Sequence, residues 1–240
     1  MKHILLVASL SASFISGLYA QSGPTPFPAN DADWPGKGPT KVYPYMNDNR
    51  KSFWDHRAQD QGAIVLAGDS LVAGPKWEAL QKAFPNQVIA NRGIGGDTSR
   101  GLLFRFQEDV LDLHPKAIMI LIGANDLSAH GSPDDTIFNL KQMVDLAQKQ
   151  DPSLPIIFCT TAPRNSPKAP VLPGKQEELN DKIKQLADDK IKVIDLYPLF
   201  CNAAGLQDTQ YFQEDLLHLS PSGYVKFNEA VQKELQTVLK

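Results

Sequence analysis

The chain has 240 residues, 42% of them hydrophobic, and a formal net charge of −3 at pH 7. This length fits one sizeable α/β domain better than two, and the composition excludes disordered and collagen-like classes. The small negative charge, without a basic cluster, argues against nucleic acid or an anionic membrane surface as a partner.

The first 20 residues have the pattern of a secretory signal peptide. Lys2 and His3 precede an apolar run from Ile4 to Leu18, and Ala20 offers a small residue at a cleavage point. The run is shorter than the ~20 apolar residues of a membrane-spanning helix, so an uncleaved anchor is the weaker alternative. We expect a signal peptide over residues 1–20 and a periplasmic or extracellular protein without stable membrane insertion.

Residues 21–61 are rich in Pro, Gly, Asn, Asp and aromatic side chains and show no sustained period. This composition predicts an irregular arm, with one short helix around Asn49–Gln59. Its aromatic residues are too apolar for a solvated tail, so we expect them to pack along the domain that follows.

From residue 62 to residue 240, strand-like and helix-like stretches alternate. The strand-like runs are Ala63–Ala67, Gln87–Asn91, Ala117–Ile122, Pro155–Thr160 and Lys192–Leu196, and the helix-like stretches are Lys76–Phe84, Thr98–Leu113, Pro133–Gln150, Lys175–Lys190 and Pro221–Leu239. Such alternation predicts right-handed βαβ units. The expected fold is a flavodoxin-like three-layer α/β/α sandwich with a five-stranded parallel sheet.

The first strand runs into a Gly-flanked turn, "AGDSLVAGPKW", that admits two interpretations. It could cradle a phosphate, or it could present Ser70 as a nucleophile. A phosphate-binding loop needs four residues between its glycines, whereas five separate Gly68 from Gly74. Pro75 also lacks the backbone N–H that such a cradle uses. The nucleophile interpretation is therefore favoured.

Three further motifs fall where strands end or where the last helix begins. "NRGIGGDTS" follows the second strand, "IGANDLS" carries Asn125 just past the third, and "DLLHLSPSGY" places Asp215 and His218 ahead of the final helix. Active sites of parallel sheets lie beyond the carboxyl ends of the strands, so these motifs should converge with Ser70 on one edge.

These residue types suit nucleophilic catalysis. A serine hydroxyl needs a base to take its proton, and His218 is the candidate, with Asp215 three residues earlier to orient its ring. Backbone N–H groups of the Gly-rich turn and of Ser70, together with the Asn125 side chain, could stabilise an oxyanion.

Candidate substrate contacts lie in loops on the same edge. They are His130, Arg164 within the stretch 162–174, and the stretch 202–214.

At this point the four blocks resemble those of the SGNH, or GDSL, hydrolase family: "GDSL" at residues 68–71, "GIGGDTS" at 93–99, "GAND" at 123–126 and "DLLH" at 215–218. The resemblance implies that Ser70 is the nucleophile of a triad with Asp215 and His218. It also implies an oxyanion hole formed by Ser70, Gly96 and Asn125, and no metal or organic cofactor.

Within that family, "NRGIGGDTSRGLLFRF" is similar to the second block of platelet-activating-factor acetylhydrolase α subunits and of bacterial acetyl- or carbohydrate esterases. This likeness implies short acyl groups, acetyl above all, with carbohydrate esters among the candidate substrates. A lysophospholipase- or thioesterase-type acylhydrolase is an alternative, and so is a non-catalytic carbohydrate-binding module.

Two further questions stay open at the level of sequence. Asp69, Asp97 and Asp126, with Asp215 and His218, could gather as ligands for magnesium, or the first three could brace their turns through hydrogen bonds to the backbone. Cys159 and Cys201 could form a disulfide in an oxidising compartment, or they could be two buried thiols.

Overall fold

A computed structural model of the chain describes residues 22–74 and 77–240; the predicted signal peptide, residues 1–20, lies outside the described residues. Its centre is one parallel sheet of five strands, β1 (Ile64–Gly68), β2 (Ile89–Gly93), β3 (Ala117–Leu121), β4 (Ile156–Cys159) and β5 (Ile191–Ile194), in the order β2-β1-β3-β4-β5. This is the flavodoxin-like order, so the predicted fold class is confirmed.

Helices cover both faces of the sheet. They are α1 (Pro44–His56), α2 (Ser70–Ala73), α3 (Glu78–Ala83), α4 (Ser99–Asp109), α5 (Ala124–Ser128), α6 (Pro133–Gln150), α7 (Lys175–Lys184), α8 (Leu196–Leu199) and α9 (Pro221–Val238), with short 3₁₀ turns at Asp31–Asp33, Leu111–Leu113 and Thr209–Tyr211. One buried cluster joins the sheet to α4, α6 and α7, and the other joins it to α2, α3 and α9. Burial on both faces explains why the strands read as continuous apolar runs.

Two helices end several residues earlier than predicted. The helix expected over Thr98–Leu113 ends at Asp109, because Val110 leaves helical geometry and a 3₁₀ turn follows. The helix expected to reach Lys190 ends at Lys184. The short helices α2, α5 and α8 directly follow strand ends and have too few residues to show a helical period.

The segment before β1 folds onto the domain. Its helix α1 begins at Pro44, earlier than the predicted Asn49, because proline is favoured in the first turn of a helix. Phe27 and Trp34 stack with ring centroids 5.6 Å apart, and both pack on Phe104 of α4. The packing predicted for Trp34 is therefore seen, whereas Tyr43 and Tyr45 of the same arm are exposed.

The two cysteines are not bridged. Cys159 is buried in β4 with Sγ 3.5 Å from Sδ of Met119, and Cys201 is a partly exposed free thiol. In the described part of the chain, helices with the length and apolarity needed to cross a bilayer are absent.

Candidate active site

Three side chains from distant parts of the chain form one hydrogen-bonded row at the carboxyl edge of the sheet. Nε2 of His218 lies 3.0 Å from Oγ of Ser70, and Nδ1 of the same ring lies 2.6 Å from Oδ2 of Asp215. Ser70 begins α2 directly after β1, and the other two residues lie in the loop that precedes α9. The structure thus brings the predicted triad residues together; their catalytic roles stay predictions.

The turn at Ser70 is fixed by the residue before it. The carboxylate of Asp69 accepts a hydrogen bond from the Leu71 N–H at 3.0 Å, so it caps α2. Burial raises the pKa of Asp69 to about 6, although the hydrogen bond from Leu71 opposes the rise. The aspartate of "GDSL" therefore holds the turn that presents the serine hydroxyl.

Hydrogen bonds from the Asp215 side chain to the backbone stabilise the loop that carries Asp215 and His218. Oδ1 of Asp215 accepts from the backbone N–H groups of Leu217 and His218, at 3.0 and 2.9 Å. Burial raises the pKa of Asp215, but the hydrogen bonds from the backbone and the contact with the His218 ring lower it by more. The net result is a pKa of about 2, below the ordinary value of an aspartate. The carboxylate is therefore ionised at neutral pH and fixes the ring that faces Ser70.

The Gly-rich motif forms a tight turn beside Ser70. The Asp97 N–H donates to the Ile94 carbonyl at 3.2 Å, so Gly95 and Gly96 are the two central residues. A Cβ on Gly95 would stand 3.9 Å from Cβ of Ser70, which places the turn close to the predicted nucleophile.

The three residues predicted to supply oxyanion donors lie in or beside this turn. Nδ2 of Asn125, in α5, donates one hydrogen to the Asp97 carbonyl at 2.9 Å, and a primary amide carries a second. The Ser70 N–H is at the first position of α2, where a helix offers no internal acceptor. Across residues 22–74 and 77–240, the Gly96 N–H also has no acceptor.

Arg105 of α4 joins the strand ends that carry these groups. Its guanidinium is fully buried, pairs with Asp97 at 2.9 Å, and donates to the carbonyls of Gly68 and Arg92 at the ends of β1 and β2. Asp109 supplies a second carboxylate at 3.3 Å. The charged core under the site therefore fixes the spacing between the Ser70 turn and the Gly-rich turn.

The acidic residues considered as metal ligands are engaged separately in the described region. Asp97 accepts from the Thr98 N–H as well as pairing with Arg105, and Asp126 accepts from both the N–H and the hydroxyl of Ser99. Burial raises the pKa of Asp126 to about 6, with the Ser99 bonds opposing it. No group of three or more His, Cys, Asp or Glu side chains is placed to hold a metal in this part of the chain.

The two predicted substrate contacts have different surroundings. Arg164 donates to the Ala124 carbonyl, the Ser128 hydroxyl and the Ala169 carbonyl, at 2.8–2.9 Å, and so ties the loop after β4 to α5. His130 is exposed at the turn that follows α5, with a φ of 61°. Their contact with substrate stays a prediction.

The two loops expected to determine substrate specificity, residues 162–174 and 202–214, lie next to each other. Residues 163–166, 169–174 and 205–207 line a common cavity of about 360 Å³. A pocket between loops on the ligand edge of a parallel sheet is a usual position for a substrate group.

Sequence reasoning missed two residues of this site. Arg105 sits within the apolar stretch "LLFRF", and a charged residue on a buried helix face is the signal that could have revealed it. Tyr45 of α1 donates its hydroxyl to the Gly95 carbonyl at 2.9 Å, and nothing in its local sequence indicates that contact.

Comparison with known proteins places this chain in a family. Residues 66–226 match the GDSL-like lipase/acylhydrolase family. Platelet-activating factor acetylhydrolase IB subunit alpha1 of Rattus norvegicus is 25% identical over 220 residues, which cover 88% of this chain and 93% of that protein. The likeness inferred from the Gly-rich block therefore extends over most of the chain.

Solved structures have the same fold. A provisionally named acylhydrolase of Bacteroides fragilis superposes with a TM-score of 0.70 at 26% identity, covering 83% of this chain and all of that one. An acetyl xylan esterase superposes with a TM-score of 0.62 at 22% identity, covering 72% and 99% of the two chains. The chain belongs to the GDSL-like lipase/acylhydrolase family and is an ester-hydrolysing enzyme.

Proposed function

We propose that the protein is an exported serine esterase that hydrolyses short acyl esters, acetyl esters first among them. The observation that carries the proposal is the row of hydrogen bonds from Asp215 through His218 to Ser70, at 2.6 and 3.0 Å. This arrangement has a nucleophile, a base within reach of its proton, and a carboxylate that sets the tautomer of the base.

The mechanism follows from the positions of these groups. Oγ of Ser70 attacks the ester carbonyl while Nε2 of His218 takes its proton, and Asp215 stabilises the imidazolium. The N–H groups of Ser70 and Gly96 and the free amide hydrogen of Asn125 bind the developing oxyanion. His218 then protonates the leaving alcohol, and water releases the acyl group from Ser70 by the same steps.

The preference for acetyl groups is supported by the relatives. The mammalian proteins that align with most of this chain are named acetylhydrolases, at 25–26% identity. A carbohydrate is our candidate for the alcohol part of the ester. We place it towards the cavity of about 360 Å³ between the two substrate loops, whose lining includes Arg164 but none of the triad residues. Export rests on the signal-peptide pattern of residues 1–20.

Two variants and a substrate panel test this function. Ser70→Ala should abolish hydrolysis of p-nitrophenyl acetate and covalent labelling by a fluorophosphonate, because the attacking hydroxyl is gone. Asn125→Ala should lower kcat roughly 10²- to 10³-fold, the usual loss for one oxyanion donor. Hydrolysis by Ser70→Ala at the wild-type rate would refute the assignment, and faster turnover of long-chain than of acetyl esters would refute the preference.

A further inference from the structure

The N-terminal arm touches the Gly-rich turn through two tyrosines of the segment that begins α1. Tyr43 and Tyr45 stack with ring centroids 5.5 Å apart and planes 8° from parallel. A Cβ on Gly96 would stand 3.2 Å from Cε2 of Tyr43 and 3.3 Å from the hydroxyl oxygen of Tyr45. The pair therefore rests edge-on against the turn.

Only one of the two hydroxyls bonds to that turn. Oη of Tyr45 donates to the carbonyl of Gly95 at 2.9 Å. Burial raises the pKa of Tyr45, with Tyr43 and Asp97 adding to the rise, so the hydroxyl keeps its proton and acts as the donor. The carbonyl of Gly95 and the N–H of Gly96 belong to one planar peptide unit and point to opposite sides of it.

The conformation of this peptide is not fixed by its residue types. Gly96 has a φ of +76°, whereas Gly95 lies outside the left-handed region, which is the pattern of a type II turn. A type I turn keeps the same bond from Asp97 to Ile94 but has its central peptide rotated, so that the N–H and the carbonyl exchange sides. Glycine accepts either φ at little cost.

We propose that Tyr45 is a positioning residue: its hydrogen bond to the Gly95 carbonyl holds the central peptide so that the Gly96 N–H faces the oxyanion. The inference rests on the proposed function, in which Gly96 is an oxyanion donor. In the rotated peptide, the carbonyl would face the developing negative charge and repel it. A hydroxyl that binds the carbonyl also polarises the peptide and strengthens the N–H as a donor.

The test removes one oxygen atom. Tyr45→Phe should lower kcat/KM for p-nitrophenyl acetate about tenfold through kcat, with KM unchanged, since a net hydrogen bond of this kind is worth about a factor of ten. Binding of phenylboronic acid, which forms a tetrahedral adduct with a catalytic serine, should weaken by the same factor. Tyr43→Phe is the matched control, because it removes the hydroxyl of the stacked partner and should leave kcat, KM and melting temperature as in the wild type.

Each outcome decides the question. A fall in kcat matched by weaker boronate binding, with an unchanged melting temperature, supports the inference. Wild-type kcat in Tyr45→Phe, an equal loss in Tyr43→Phe, or a loss confined to KM overturns it. Ser70→Ala is assayed alongside: if it is inactive while Tyr45→Phe is unaffected, the inference fails alone, and if it is fully active, the proposed function fails as well.

Discussion

Nε2 of His218 lies 3.0 Å from Oγ of Ser70, although 148 positions separate the two residues in the chain. The contact depends on the second ring nitrogen, which Asp215 holds at 2.6 Å. A ring fixed in this way presents an unprotonated Nε2 to the serine hydroxyl, which is the form a general base requires.

The substitution Asp215→Asn should therefore leave the geometry and remove the base. The introduced side-chain amide would be the donor to Nδ1, so Nε2 would carry the proton and could no longer accept one from Ser70. We expect kcat to fall roughly 10⁴-fold, as in other serine triads. Steady-state assays with p-nitrophenyl acetate measure the loss, and Glu229→Gln, on an exposed residue of α9, is the control expected to behave as wild type. A loss below tenfold would contradict the assigned role.

The depressed pKa of Asp215 also predicts a pH dependence of stability. Its pKa is about 2 in the folded state, below the value of about 3.9 expected in an unfolded chain. The unfolded state therefore binds this proton more readily, so the stabilising contribution of the carboxylate is complete above pH ~4 and is lost as the pH falls towards 2.

Urea unfolding at pH 5, 4 and 3 tests this point. The difference in unfolding free energy between wild type and Asp215→Asn should shrink as the pH falls. Asp69 and Asp126, whose pKa values are raised to about 6, titrate in both proteins and cancel in the difference. If the difference in unfolding free energy stayed constant from pH 5 to pH 3, the ionised carboxylate of Asp215 would not stabilise the folded state through its hydrogen bonds.

Comparing alanine substitutions at Gly96 and at Gly62 separates the cost of backbone strain from a direct effect on the site. Both glycines have left-handed backbones, with φ values of 76° and 68°. Alanine at either position should cost about 1–2 kcal/mol of stability. Only Gly96→Ala should also lose activity, by up to roughly 10²–10³ in kcat, because a turn that relaxes from this φ turns an oxyanion donor away.

Gly62→Ala is the control because Gly62 lies just before β1, away from the carboxyl end of the strand, and a Cβ there would meet nothing within 4 Å. Chemical denaturation and kcat are measured on both variants. Equal kcat values in the two would show that the Gly96 peptide takes no part in catalysis.

Arg50 and Lys51 are neighbours in α1 with opposite environments. Arg50 is buried and binds Glu108 at 2.6 Å and Asp109 at 3.2 Å, whereas Lys51 pairs with Asp55 in solvent. Arg50→Ala leaves the buried carboxylate of Asp109 and the partly buried one of Glu108 short of a cation and should cost about 3–5 kcal/mol. Lys51→Ala should cost less than about 1 kcal/mol. Urea unfolding of both variants checks this ordering, and similar losses would mean that α1 is not anchored through Arg50.

Much of the fold was predictable because it follows from local patterns. Parallel strands buried on both faces read as apolar runs, and the bounds predicted for the helix Pro133–Gln150 match α6 because Ser132 caps its first turn. The triad residues were recognisable because Ser70 follows a strand, and Asp215 and His218 lie three residues apart just before the last helix. Their meeting at the edge of the sheet follows from the topology.

Two contacts of the site could not be predicted from the sequence, because they depend on packing between segments that are distant in the chain. Tyr45 reaches Gly95 across 50 positions, and Arg105 bonds two strand ends whose spacing is set by the sheet. The first contact depends on the packing of α1 onto the domain, and the second depends on the packing of α4 against the ends of β1 and β2. Neither packing is encoded in any single stretch.

The anchoring of the arm has a practical consequence for choosing the limits of an expressed protein. The region that matches the family begins at residue 66, which would suggest trimming everything upstream. A version starting at residue 62 would deprive Asp109 of one of its two cationic partners and bare the ring of Phe104. We expect the smallest autonomous folding unit to be longer than the stretch that carries the hallmark blocks, and to include the arm.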